Sequence, residues 1–213
     1  MTRASHPQGI WVETASGARV NLLAPAPADI RVTDLARALS RLARFPGYTV
    51  GEESYSIAQH AVWMALTLER EFYPDRDLAL LGLLREAPSA YLGALAPAAR
   101  TLLAPLLHPV ERRLRRSILS SAGLRVPTAR QRRTIEVLNQ IALGAQGRRF
   151  LPESGQRGLL NPPGWAMHSL FPCWDAHTAE EKFLEAFDHL SADRQRPCFL
   201  LPGRTVPSCA LPT

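Results

Sequence analysis

Apolar positions along this chain recur mainly at helical spacing, three and four residues apart. Leu35, Leu39 and Leu42 mark one face of a helix that Thr33 or Asp34 can cap and that Pro46-Gly47 ends after Arg44. Ile57, His60, Ala61, Met64 and Leu68 form the stripe of a second helix over 54–71, which turns His60 toward the core. A third helix, over 75–87, is apolar throughout Leu78 to Leu84, as a central helix would be, and Pro88 breaks it. Pro97 and Pro105 suggest a short helix and turns over 89–108. Pro109 suits the first turn of a new helix reaching Ser121, with Val110, Leu114 and Ile118 inward. Thr128 can cap a helix to Gly147, with Ile135, Leu138, Ile141 and Ala142 inward. Residues 151–173 read as a long loop, and Thr178 to Glu181 is a capping-box pattern opening a last helix that ends near Leu190.

Only the start departs from this period. Ile10-Trp11-Val12 and Ala15 to Val20 suggest a short hairpin, and Pro25 and Pro27 stop any regular element. The expected fold is all-α with a short extended or hairpin N-terminal segment. It is expected to form one domain over 1–192, followed by a tail from 193 that contains four prolines and reads as disordered or loosely docked.

Composition bounds the function without naming it. Of 213 residues 46% are hydrophobic and 21% charged, as in an ordinary globular protein. No run approaches the length of a transmembrane helix, and Arg3 is followed by no apolar leader core. Cys173, Cys198 and Cys209 show no CxxC spacing, so neither a disulfide framework nor a zinc site is suggested, and a cytoplasmic location is expected. The net charge is +6. Between Glu111 and Arg133 lie eight arginines, at 112, 113, 115, 116, 125, 130, 132 and 133, against one acid. They form either a solvated helix face or a basic field that attracts phosphates or nucleic acid. There is no P-loop, no GxGxxG fingerprint and no base placed near Ser56 or Ser89 for a hydrolytic triad. His168, Asp175 and His177 are scattered, in or beside the long loop.

Several segments, in order, resemble the HD-domain phosphohydrolases of the bacterial and phage 5′-deoxynucleotidase type. They are Trp11 to Gly17, Pro27 to Ile30, Asp34 to Ser40, Arg44-Phe45-Pro46-Gly47, Tyr55 to His60, Leu83-Leu84, Ala90 to Gly93, and the last helix with Phe183, Phe187 and Leu190. The resemblance covers roughly residues 10–192. It implies an all-α HD-domain bundle around a metal, held by a His, then an adjacent His-Asp pair, then a later Asp. His60 matches the first ligand. Arg85 and Glu86 stand at the pair, and Asn139 at the later Asp. Ser89 and Ala94 stand where the family carries further acids.

These replacements argue against the family's chemistry. Arg cannot deprotonate near neutral pH, so Arg85 cannot ligate a metal. At an effective dielectric near 20, a guanidinium about 4 Å from a cation costs on the order of 4 kcal/mol. Arg85 either pairs with Glu86 or another acid and fills the old metal cavity, or holds a phosphate. Arg44 and Phe45 coincide with the family's Arg-Phe motif and suggest a phosphate or base contact, with His60 and Arg85 beside them.

The leading expectation is a catalytically degenerate protein that binds a nucleotide or a protein partner. It would need no cofactor, and it would keep the family's tendency to form a homodimer. One alternative is a nucleotide phosphohydrolase with a remodelled centre, using Mn or Co with His60, Glu86 and residues of the 151–177 loop. A second is a nucleic-acid-binding module working through the 112–133 arginines.

Overall fold

The computed structural model describes residues 9–72, 75–168 and 172–194. Strands β1 (Trp11–Glu13) and β2 (Arg19–Asn21) pair antiparallel, with Val12 opposite Val20. Eight helices follow among the described residues: α1 (Val32–Arg41), α2 (Ile57–Phe72), α3 (Arg76–Leu83), α4 (Ser89–Leu92), α5 (Pro97–Ser121), α6 (Ala129–Phe150), α7 (Gly164–His168) and α8 (Ala176–Arg194). The chain is thus all-α with a short hairpin, and no described helix is long and apolar enough to cross a membrane. The tail beyond Arg194 lies outside the described residues.

Helix α2 is the hub, packing against α1, α3, α6 and α8. Every residue from Ile57 to Ala65 is buried, because each side of this half-helix meets another element. Leu78 to Leu84 are buried as well, and α3 packs against both α2 and α8, which also pack against each other. Phe183 on α8, Leu39 on α1 and Met64 on α2 are fully buried in the shared core.

Local chemistry sets several boundaries differently from the sequence pattern. Helix α1 begins at Val32 and gains no side-chain cap. Asp34 instead turns onto the hairpin loop, accepting hydrogen bonds from Thr14 Oγ1 (2.7 Å), the Ser16 amide (3.0 Å) and Ser16 Oγ (2.7 Å). Helix α3 stops at Leu83, and 84–88 tightens into turns bonded three residues apart, such as Ala87 N to Leu84 O at 3.2 Å. Pro88 disfavours helical backbone at the residue before it, so Arg85 and Glu86 sit on this turn rather than inside a helix.

No new helix starts at Pro109. α5 runs unbroken through Pro105 and Pro109. The carbonyls those prolines leave without a helical donor belong to Thr101 and Pro105, both exposed residues, so the missing bonds fall on a solvent-facing side of the helix. Thr128 does cap α6, in a reciprocal capping box with Gln131. Thr178 does not open α8: Asp175 Oδ1 accepts from the Thr178 amide at 2.8 Å and the helix begins at Ala176. The expected long loop contains a 3-10 turn at Glu153–Gln156 and the short α7. Gly144 admits this segment, since a Cβ there would lie 2.3 Å from the Leu160 carbonyl oxygen.

Phe183→Ala is expected to cost about 3–5 kcal/mol of unfolding free energy. Leu102→Ala, at an α5 position that is 80% exposed, is expected to change it by less than about 0.5 kcal/mol. Urea titration of the two variants checks both.

Candidate functional site

The site grows from two local features. Residues 42–44 run antiparallel to 55–57 as a short bridge: Arg44 N donates to Tyr55 O (2.8 Å) and Ile57 N to Leu42 O (2.9 Å). This sets Arg44 beside Tyr55 at the start of α2. Ser56 Oγ accepts from the Gln59 amide at 3.1 Å and begins the helix that carries His60. Opposite lies α6, whose Asn139 and Gln146 are seven residues apart and so share one face.

Gln146 joins the two sides. Arg44 Nε donates to Gln146 Oε1 at 2.8 Å, and Gln146 Nε2 lies 3.0 Å from His60 Nδ1. Since Arg can only donate, it fixes the amide's oxygen on its own side and the NH2 on the imidazole's. His60 Nδ1 is therefore the acceptor, and the neutral ring carries its proton on Nε2. Both Gln146 and His60 are fully buried, and Nε2 meets no partner among the described residues. Burial first, then the nearby Arg44 and Arg85 charges, holds the His60 pKa well below that of free imidazole. Burial, reinforced by Arg85, also lowers Arg44 to about 10. Its guanidinium lies 5.5 Å over the Phe45 ring, and its terminal nitrogens meet no carboxylate among the described residues.

Arg85 does not aim at empty space. One arm of its guanidinium pairs with Glu86, and Nη2 reaches Glu136 Oε2 at 3.0 Å. Its carbonyl accepts from Arg115 Nη1 at 2.8 Å. Burial pushes the Glu136 pKa up, but the Gln140 hydrogen bond and Arg85 outweigh it, so the carboxylate stays below its ordinary range. Asn139 lies beside this pair, with Nδ2 3.5 Å from Glu136 Oε1 and a buried Oδ1 that meets no partner. Ser89 is buried at the start of α4, and Ala94 packs half-buried against the core. Neither supplies a proton-transfer group.

The donors suit a metal poorly. A divalent cation of the Mn or Co type wants imidazole and carboxylate. Here the imidazole's outer nitrogen is protonated, both acids are engaged by Arg85, and the amide is neutral. Among the described residues no three His, Cys, Asp or Glu side chains gather as a metal would need. Of the loop candidates whose side chains are described, neither is free to replace a ligand: Asp175 caps α8, and His177 pairs with Glu181 on an exposed face; the His168 side chain lies outside the described residues.

Sequence reasoning missed Gln146 and Glu136, and it counted Arg115 in the basic field although its guanidinium turns inward to the Arg85 carbonyl. Gln146 carried one readable sign: it is a lone polar side chain among Gly144, Ala145 and Gly147, on the face that also bears Asn139. Gln59, read as structural, holds the 172–174 segment at both ends of its amide, through Pro172 O (2.8 Å) and Trp174 N (2.9 Å).

No family model matches the chain. An uncharacterized protein of Rhodobacter capsulatus is 35% identical to it over 89 residues, which is 39% of this chain and 43% of that protein.

A buried neutral His titrates in the unfolded chain before it titrates in the fold. Its contribution is whole above pH about 6.5 and is lost as pH falls toward the depressed folded value. Over that window His60 is expected to give stability a slope of up to about 1.4 kcal/mol per pH unit. Denaturant melts from pH 7 to 5 on wild type and His60→Gln check this, and the slope should be shallower in the variant.

Proposed function

We propose that this chain is a catalytically silent HD-domain protein that works by binding, with the phosphate of a nucleotide held at Arg44. The observation that carries the reading is the Arg44–Gln146–His60 chain. It leaves a proton where the family's first ligand would present a lone pair, while Glu86 and Glu136 hold Arg85 in place of the His-Asp pair. Without a metal, water keeps its ordinary acidity and phosphate-ester hydrolysis has no activated nucleophile. What stays available is a guanidinium with a fixed Nε, an aromatic ring beside it, and terminal N–H groups that meet no acid among the described residues. An Arg fork matches two phosphate oxygens, and burial raises the value of that contact. A groove of about 440 Å³ opens beside the same bridge; it is lined by Ser40, Arg41, Ser54 and Ser56 together with the acids Glu53 and Asp175, and Arg44 lies outside its lining.

Calorimetry with deoxynucleoside monophosphates tests the reading. Binding is expected in metal-free buffer, weakened at least about tenfold by Arg44→Lys, since a charge-assisted contact is worth about 1.5–3 kcal/mol. No phosphate release is expected with Mn or Co. Metal-dependent turnover at enzyme-like rates, or equal binding by wild type and Arg44→Lys, would overturn it.

A further inference from the structure

A second surface stands apart from this site. Of the eight arginines between 112 and 133, only Arg115 turns inward, and Arg112, Arg113, Arg116, Arg125, Arg130, Arg132 and Arg133 are all exposed. None of these seven pairs with a carboxylate among the described residues. Elsewhere pairing is mixed: Arg37 and Arg41 pair with Glu180, Arg70 with Glu71, Arg85 with Glu86 and Glu136, Arg100 with Glu111 and Arg149 with Glu53, while Arg19, Arg31, Arg44, Arg148 and Arg157, spread along the chain, meet no carboxylate among the described residues. Unpaired cations are therefore concentrated on one helix–loop–helix unit, the C-terminal half of α5 and the start of α6.

The arrangement works against the fold. Cations are disfavoured near a helix N-terminus, whose partial charge is positive, yet the first turns of α6 carry Arg130, Arg132 and Arg133 with no acid in the first turn. Folding gains nothing from this repulsion, whereas an anionic partner would relieve it. On α5, Arg112, Arg113 and Arg116 fall within about 100° of arc, with a rise of about 6 Å from the first to the last. They project as a compact row from a helix fastened to the body by buried Leu114 and Ile118 and by Ser117 Oγ donating to Pro25 O at 2.7 Å.

We propose that this unit docks on the phosphodiester backbone of double-stranded nucleic acid. Charge complementarity selects a polyanion. The duplex is favoured over a single strand because no Phe, Tyr or Trp occurs from 97 to 133, so there is no platform on which unpaired bases could stack. Contact is to phosphates, without sequence preference.

The test is fluorescence anisotropy of the full chain with a labelled 20-base-pair duplex between 50 and 200 mM KCl. Each neutralised phosphate adds about 0.9 to the slope of log K against log salt. Five to seven arginine contacts predict a slope of about −4.5 to −6, and Arg112→Ala/Arg113→Ala/Arg116→Ala a slope shallower by about 2.7. Arg130→Ala/Arg133→Ala is expected to flatten it by about 1.8. The control Arg31→Ala/Arg157→Ala removes two exposed arginines elsewhere and is expected to leave the slope unchanged. The proposal is overturned if the duplex does not bind at 50 mM KCl or if the control flattens the slope as much as the α5 variant does. Preference for phosphatidylserine vesicles or for single strands over the duplex would overturn it too.

Discussion

The amide of Gln146 is the interaction on which the centre of this molecule depends. An amide has two unlike ends, and here each end faces a group that accepts only one of them. Arg44 can only donate, so the carbonyl must face it; the NH2 then faces His60. One side chain thereby fastens α6 to α2 and to the bridge that carries Arg44. The amide and the imidazole are both fully buried, where an unmatched donor or acceptor costs about 1–3 kcal/mol. The alternative amide orientation would leave both contacts wrong at once.

That single orientation decides the chemistry around it. It assigns the imidazole proton to Nε2, and burial, helped by the Arg44 and Arg85 charges, keeps the ring from taking a second one. From the same helix α6, Glu136 pairs with Arg85, and Asn139 lies within 3.5 Å of the same carboxylate. The result is an interior of hydrogen bonds and ion pairs where the resemblance implies open coordination positions. Of the buried side-chain atoms that meet no partner among the described residues, two lie here, His60 Nε2 and Asn139 Oδ1. They belong to the first and the last of the positions that the resemblance marks as ligands.

Much of the fold was legible because it follows from period and punctuation. The burial of α2 and α3, the Thr128 cap and the presence of a short N-terminal hairpin come from side-chain spacing and local hydrogen bonding. What escaped depends on tertiary partners. Asp34 had the look of a helix cap, but the hairpin loop offered it three donors. Pro105 and Pro109 had the look of breaks, but the carbonyls they free fall on a solvent-facing side of the helix. At the site, His60 and Arg85 could be singled out from their neighbours in sequence. Gln146 lies 86 residues from His60 and 102 from Arg44, and nothing local links them.

The central claim is that His60 is held as the Nε2–H tautomer and is closed to metal. Nitrogen-15 NMR of the histidine side chains at pH 7, with and without excess zinc, tests it most directly. The account predicts an unprotonated Nδ1 and a protonated Nε2 for His60, unchanged by zinc. An Nε2 that loses its proton and shifts as zinc is added would contradict it.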